Sequence, residues 1–553
     1  PPVKWKNVLL PAVTVFAAAG VLYHTLAPKG AVFSPGPVPA AESWALLPLD
    51  NRPPCRDFTE ELGALGGIHF TAPPSEIMDW YDEPAHIPAL KTWLAGTLPR
   101  QQGALLSTDL MIFGGLLHSR MEPLTDRKAG DFFTWLEELK DDNPDKQFYL
   151  YSIIPRLLIS DHVLPDRWYQ WHLMTWTINM DKKIRGLPYD RENYEEVKAL
   201  IPMDLKWKYI TLYRDNDRFN EELVQFVTEE NLTDLVIGQD DAHPYGLPNY
   251  NRLNAGAYPQ AYDLHPPIYT SQGADELGTL AAARIYSRRT GYRPRIRVLY
   301  GDPAMKDYTL HFVPLTLGQI AEEKIRLANG TETGSLEDAD FVLYIHCGGE
   351  KAEDSTRIAR DIKELMEKKP VALVDLSTRF AAGDCILPHL MANGTPLPRL
   401  LAYSGWNTAS NAIGTAVAQG TIVSGQAQKL PRDQLPALYS ANFQFNYARF
   451  LDDWAYQKLI RPHMAELQDL NGVAPEKGGD YPNAATCYLS RELGIYHQVL
   501  LWYCRQFPYY EDGENRYWFR DAQFAVNLPW ERPFEIRLKI FPEFGKEQLT
   551  KGQ

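Results

Sequence analysis

The sequence predicts a mixed α/β protein: a (β/α)8 barrel-like parallel sheet carrying a helical insertion and a smaller C-terminal region. Three observations carry this prediction. From Trp44 onward short apolar runs alternate with amphipathic stretches, the order that lays helices over a parallel sheet. Polar residues gather where the apolar runs end, as they do at the carboxyl ends of parallel strands. At 553 residues the chain is too long for one ordinary core, so a barrel-sized domain with an appended region is the natural arrangement.

Nine segments read as strands: "WALLPL", "IHFTA", "ALLST", "QFYLYSII", "DLVIG", "RIRVLY", "DFVLYIH", "VALVDL" and "LLAYS". Between them, stretches such as "KAGDFFTWLEELKDD", "ELGTLAAARIYSRRTG" and "STRIARDIKELMEKK" repeat apolar residues at three- and four-residue steps, the period of a helix with one buried face. Asp50, Asp109, Arg156, Asp240, Asp302, His346, Asp375 and Trp406 follow successive strands. So many contributing strands favour a barrel, because an open doubly wound sheet gathers its site at one switch point. The alternative is two stacked doubly wound domains that part near Gly291.

The aromatic, polar stretch 161–231 reads as a helical insertion able to roof the site. After Lys429 the pattern turns mainly helical and ends in a strand within "FAVNLPWERPFEIRLKIF". The expected domains are therefore 1–43, 44–429 and 430–553. In the first of these, Lys4 and Lys6 precede an apolar run over 8–27 and a Pro/Gly/Ala-rich linker. This is the layout of an export signal or a membrane anchor. A buried core helix is the alternative, which Pro11 and the linker disfavour. The expectation is an extracytoplasmic chain, secreted or anchored, that meets the membrane only through this segment if it is uncleaved.

Hydrophobic residues make up 45% of the chain, enough for a packed core. A net charge of −14 argues against nucleic acid as a partner, since a duplex binder replaces counterions with clustered Lys and Arg. Five scattered cysteines show no CxxC spacing, so no zinc ribbon is indicated; one or two bridges are compatible with them, and Cys55 and Cys504 read as ordinary buried thiols. HExxH, GxSxG, GxxxxGK[ST] and a strand-linked GxGxxG are absent.

The chemistry in view belongs to carboxylates. In "DLVIGQDDAHPYG", Asp240 and Asp241 directly follow a strand, and adjacent carboxylates raise one another's pKa. One then holds a proton while the other stays charged, the division of labour that glycosidic acid–base chemistry uses. Equally, one Asp caps the turn and the other is solvated. Asp275 and Glu276 begin a helix in "TSQGADELGTLAAARI": either they offset its dipole, or Glu276 enters the site as nucleophile or base. Asp50 and Arg52, followed by two prolines, form a substrate-orienting pair or a structural latch. Asp109 precedes Gly114 and Gly115, where a bare backbone can approach a ligand. Trp406 and Asn407 suit a sugar ring, with a core Trp and a helix-capping Asn as the alternative. His118, His243 and His346 are metal ligands or, on the simpler reading, satisfied histidines.

These segments resemble the bacterial domain-of-unknown-function family 4127. The likeness rests on "LLPLDNRPP", "DLMIFGGLLHSR", "IGQDDAHPYG", "GADELGTLAAARI", "AYSGWNTASNAIGTAVAQG" and "LPWERPFEIRL", in that order over nearly everything after Trp44. It implies that Asp50, Arg52, Asp109, Arg120, Asp240, Asp241, Asp275, Glu276, Trp406 and Asn407 share a site, without assigning roles. By analogy alone, the Asp pair is similar to that of substrate-assisted hexosaminidases, though the surrounding residues depart from those families.

The expectation is an extracytoplasmic glycoside hydrolase with Asp240, Asp241 and Glu276 catalytic and the other shared residues binding a carbohydrate of the cell envelope or environment. No cofactor and no metal is expected. One alternative is a metal-dependent hydrolase of an envelope ester or phosphate, with Asp50, Asp109, Asp240 and His346 as ligands. The other is a non-catalytic glycan-binding envelope protein.

Overall fold

The computed structural model describes residues 29–158, 167–261, 267–349, 351–379, 381–464, 466 and 480–549. The apolar run 8–27 lies outside these residues. Among the described residues no helix is long and apolar enough to cross a membrane. Among the described residues the chain forms two compact units, both discontinuous: one within 39–347 with 407–425, and the other within 29–38, 348–406 and 426–549. The first described element, strand β1 (Ala31–Phe33), belongs to the second unit.

The first unit is built on six parallel strands: β2 (Glu42–Leu47), β3 (Ile68–Thr71), β4 (Gly103–Ser107), β5 (Gln147–Ile154), β6 (Asp234–Gln239) and β7 (Ile268–Gln272). Their order is β3-β2-β4-β5-β6-β7. The α/β class stands, but among the described residues β3 and β7 end the sheet and do not pair with each other, so it is open and not the closed barrel expected. The chain starts at β2, steps outward to β3, then returns across β2 to β4 and advances. That reversal puts a topological switch point at the carboxyl ends of β2 and β4, the place where doubly wound sheets bind ligands.

The register explains the sheet's cohesion. Leu47 pairs with Leu106, Leu106 with Leu150 and Leu150 with Leu235, a buried row across four strands. Each such side chain withdrawn from water contributes about 1.5–3 kcal/mol. Strands buried on both faces need continuous apolar runs, which is why "QFYLYSII" carries no alternation.

Helices that bear on the site are α1 (Asp57–Leu65), α2 (Thr108–Phe113), three in the insertion, α3 (Arg167–Ile184), α4 (Arg191–Leu200) and α5 (Met203–Glu229), then α6 (Leu277–Thr290), α7 (Leu317–Leu327) and α8 (Ala409–Lys429). The insertion thus has the helical character expected of it, with its own core of Leu173, Trp176, Tyr194, Val197 and Tyr209. Strand β8 (Arg295–Tyr300) pairs in parallel with β9 (Thr331–Glu332) and β10 (Phe341–Gly348) in a sheet separate from that of β2–β7, so the parallel strands change sheets between Gln272 and Arg295, near the Gly291 break of the two-domain alternative, while the compact unit runs on to Cys347.

In the second unit β11 (Val371–Ser377) pairs in parallel with β12 (Ala402–Ser404). A separate antiparallel sheet, order β1-β15-β14-β13, joins β1 to β13 (Pro508–Glu511), β14 (Asn515–Asn527) and β15 (Arg537–Gln548). The expected terminal strand is therefore one arm of a hairpin in a four-stranded sheet. The expected boundary at 429/430 is also crossed, because β12 is fastened to helices on its C-terminal side. Asn446, on α9 (Leu435–Arg449), accepts from the Tyr403 amide at 3.1 Å and donates to the Leu400 carbonyl at 2.8 Å. Asp453, in the π-helical stretch Phe450–Ile460, accepts from the Gly405 amide at 2.8 Å. All five cysteines are free; Cys55 and Cys504 are buried and Cys487 is exposed.

Candidate functional site

The switch-point side of the first unit collects most of the expected residues. After β2, Pro53 and Pro54 stop the strand and Arg52 folds back on Asp50. Its Nε and Nη2 donate to Asp50 Oδ2 at 2.9 and 2.6 Å, and its amide to Asp50 Oδ1 at 3.0 Å. The same Nη2 donates to Asp275 Oδ1 at 2.6 Å, so one guanidinium joins the loop after β2 to the one before α6. Burial, then the nearby Asp50, Asp240 and Glu276 charges, lift the Asp275 carboxyl to about 6 against the pull of Arg52.

Asp50, Cys55 and Asp275 place ligand-type atoms within 4.8 Å of one another, a spacing that fits a metal. Arg52 Nη2 sits among those three atoms, 3.7 Å from Cys55 Sγ. The guanidinium supplies the cation there, and the donor set does not fit a metal while Arg52 is in place. His346 and Asp109, proposed ligands of the same ion, are not in this group. His118 Nε2 lies 2.9 Å from the Asp82 carbonyl, and His243 Nδ1 accepts from the Tyr245 amide at 3.2 Å. His118 Nδ1 is buried without a hydrogen-bond partner among the described residues, so that ring is not the fully satisfied histidine of the simpler expectation.

Asp109 lies in the first turn of α2, whose N-cap is Ser107. Its Oδ2 accepts from the Ile153 amide at 2.9 Å, and burial pushes the carboxyl up to about 7. A small cleft with room for about one water molecule lies beside it, lined also by Thr108, Ser119, Ser152 and Asn216. The backbone at Gly114 and Gly115 is approached closely by the protein itself, by Pro84 and Asp79 respectively. Both glycines have left-handed φ, and a Cβ on Gly115 would come within 2.9 Å of Asp79 Oδ2. Asp79, which accepts from the Asn51 amide at 2.9 Å, is a buried acid absent from the expected set. Burial first, and Asp50 second, push its carboxyl well up.

Beyond β6, Arg120 Nε donates to Asp240 Oδ2 at 2.7 Å, and Asp240 Oδ1 accepts from the Asp241 amide at 2.8 Å. Asp240 is buried and ion-paired, whereas Asp241 keeps part of its surface in solvent. Burial and the Asp240 charge raise the Asp241 carboxyl to about 7, opposed by Arg120 and Arg156. The neighbours therefore differ in partner and in exposure.

Glu276 is occupied elsewhere. Its Oε1 accepts from Lys324 Nζ at 2.7 Å and Ser410 Oγ at 2.6 Å, and its Oε2 from Asn411 Nδ2 at 2.9 Å. Both Glu276 and Lys324 are buried, and a Cβ on Gly273 would overlap Glu276 Oε1. The position expected of a nucleophile or base instead ties α6, α7 and α8 together. Asn407, at φ 55°, donates to Asn411 Oδ1 at 3.3 Å, next to this anchor. Trp406 belongs to the second unit, buried edge-on to Phe534 at 6.2 Å, so its ring offers no open stacking face. Asp375 is likewise in that unit, where it accepts from the Ile386 amide at 2.9 Å and Tyr403 Oη at 3.0 Å.

No curated protein and no solved structure matches the chain. The motifs that run from the loop after β2 to the approach to β15 are matched by a family model over residues 44–539, nearly the whole chain, and the chain belongs to DUF4127, a family of proteins of unknown function.

Proposed function

We propose that this protein is an extracytoplasmic glycoside hydrolase that works by carboxylate acid–base chemistry on a cell-envelope or environmental polysaccharide. One observation carries the proposal: Asp241, partly open to solvent and lifted to about 7, stands beside Asp240, which is buried and ion-paired with Arg120. In this reading Asp241 gives its proton to the leaving glycosidic oxygen as the bond to the anomeric carbon breaks. Water adds to that carbon and returns a proton to Asp241. Asp240 holds the Asp241 amide and stabilises the positive charge that grows on the sugar ring. In this reading Asp50, Arg52, Asp275 and Asp109, gathered at the carboxyl ends of the strands, bind hydroxyls.

The test is incubation of the full chain and its Asp241→Asn variant with a panel of bacterial envelope and plant polysaccharides, reading released sugar. Release by the wild type, lower by a factor of about 100 or more in a variant whose circular dichroism is unchanged, is the expected result. Binding of a glycan without release by either protein would replace the enzyme with a glycan-binding protein.

A further inference from the structure

Two sequence motifs that the carboxylate chemistry leaves out meet in the second unit. Trp406, from "AYSGWNTASNAIGTAVAQG", packs edge-on against Phe534, from "LPWERPFEIRL", in the loop between β14 and β15. Arg461 directly follows the π-helical stretch Phe450–Ile460 and lays its guanidinium over the Phe534 ring at 4.3 Å, while the Arg532 guanidinium lies 5.1 Å from the same ring. Two cations thus share one aromatic side chain.

The acids nearby are committed to other cations. Buried Glu535 accepts from Arg532 Nε and Nη2 at 3.0 and 2.9 Å, and Asp452 accepts from Arg449 Nη1 at 3.0 Å. Arg461 Nη1 donates to the neutral Gln457 Oε1 at 2.7 Å, and among the described residues Arg461 makes no ion pair. Gln457 is itself held in place, its Nε2 donating to the Phe534 carbonyl at 3.1 Å. A guanidinium on open surface is satisfied by water. Arg461 is only partly exposed, and burial pushes it below its ordinary pKa; Tyr456, Glu535 and Asp452 oppose that push and Arg532 adds to it. The result is a partly desolvated cation, oriented by a glutamine and an aromatic face, beside a second guanidinium. An oxyanion is the group that a planar fork of this kind is built to take, and it would supply the missing counter-charge.

We propose that Arg461, with Arg532 and the Phe534 ring, forms a binding site on the second unit for the oxyanion group, phosphate or carboxylate, of a ligand. The site shares no residue with the carboxylate chemistry around Asp241 and stands or falls apart from it. The full chain is heated with inorganic phosphate, with glucuronate or with glucose, in sodium chloride that holds ionic strength constant. Its unfolding midpoint is compared with those of Arg461→Met and Arg461→Lys. A ligand that binds only the folded chain raises the midpoint as its concentration rises, whereas general salt effects move all three proteins alike. The expected result is a rise of the wild type with phosphate, glucuronate or both, and none with glucose; the anion that acts names the group the site takes. Arg461→Met leaves no acid without its partner, keeps the wild-type circular dichroism and loses the rise. Arg461→Lys keeps the charge without the fork and binds at least about tenfold more weakly. An equal rise in the wild type and both variants, a rise with glucose as large as with glucuronate, or no rise with either anion would overturn the proposal.

Discussion

Arg52 puts a positive charge where three atoms of metal-ligand type converge, and its removal has two measurable results. Arg52→Ala leaves Asp50 and Asp275 buried together without a cation, an expected loss of about 3–5 kcal/mol in denaturant unfolding at neutral pH. The same variant uncovers the Asp50, Cys55 and Asp275 donor set, so added Zn2+ raises its melting temperature and leaves the wild type unmoved. The raised carboxyls set the pH dependence. Asp109 and Asp241 at about 7, and Asp275 at about 6, bind protons more tightly in the folded chain than in the unfolded one. Their contribution to stability is full below about pH 4 and is lost as pH rises through 6 to 7. Asp109→Asn should flatten that decline by up to about 1.4 kcal/mol per pH unit, checked by unfolding curves across the range. If Asp241 is the acid, kcat/KM falls above about pH 7, and Arg120→Gln moves that limb to higher pH because Arg120 holds the carboxyl down.

Among the elements, the point of greatest consequence is the buried pair that joins α6 to α7. Lys324→Met strands the Glu276 charge and is expected to destabilise by about 3–5 kcal/mol, while adding Glu276→Gln restores most of the loss. Comparing unfolding of the single and double variants checks this, and recovery in the double variant shows that the charge matters more than the packing. Local pattern made most elements legible: "QFYLYSII" and "RIRVLY" coincide with β5 and β8, and the aromatic, polar stretch read as a helical insertion holds three helices. β7 was hidden because "IYTSQ" has only two large apolar residues and comes after Pro266 and Pro267. The acids after β2, β4 and β6 were legible because strand ends announce themselves. Asp79 and Lys324 were not, since each is defined by a partner distant in sequence. Nor does anything local distinguish a Glu276 that faces substrate from one that faces Lys324.

For the molecule as a whole, closure and domain boundaries were the illegible part. Strands of a barrel and of an open doubly wound sheet share one local pattern; they differ only in which strands pair, a property of the whole chain. Likewise β11 and β12 read as a continuation of the preceding strands, yet Asn446 and Asp453 fasten β12 and the turn after it to helices later in the chain. Removing 537–553 takes away β15, the partner of both β1 and β14. Limited proteolysis of that truncated chain should cut first within 508–536, with fragments of the 39–347 region outlasting it.

The pairing of β1 with β15 carries a further consequence for how the protein is made. Ala31 finds its place only opposite Lys546, so a strand made early waits for one made more than five hundred residues later. A ribosome delivers those two strands far apart in time, and until the later one emerges the earlier one presents bare amides and carbonyls to whatever is nearby. The sheet cannot be sealed on an interrupted transcript. Its completion is a signature of synthesis carried through β15, and its open edge is a handle by which a chaperone or protease can tell an unfinished chain from a finished one.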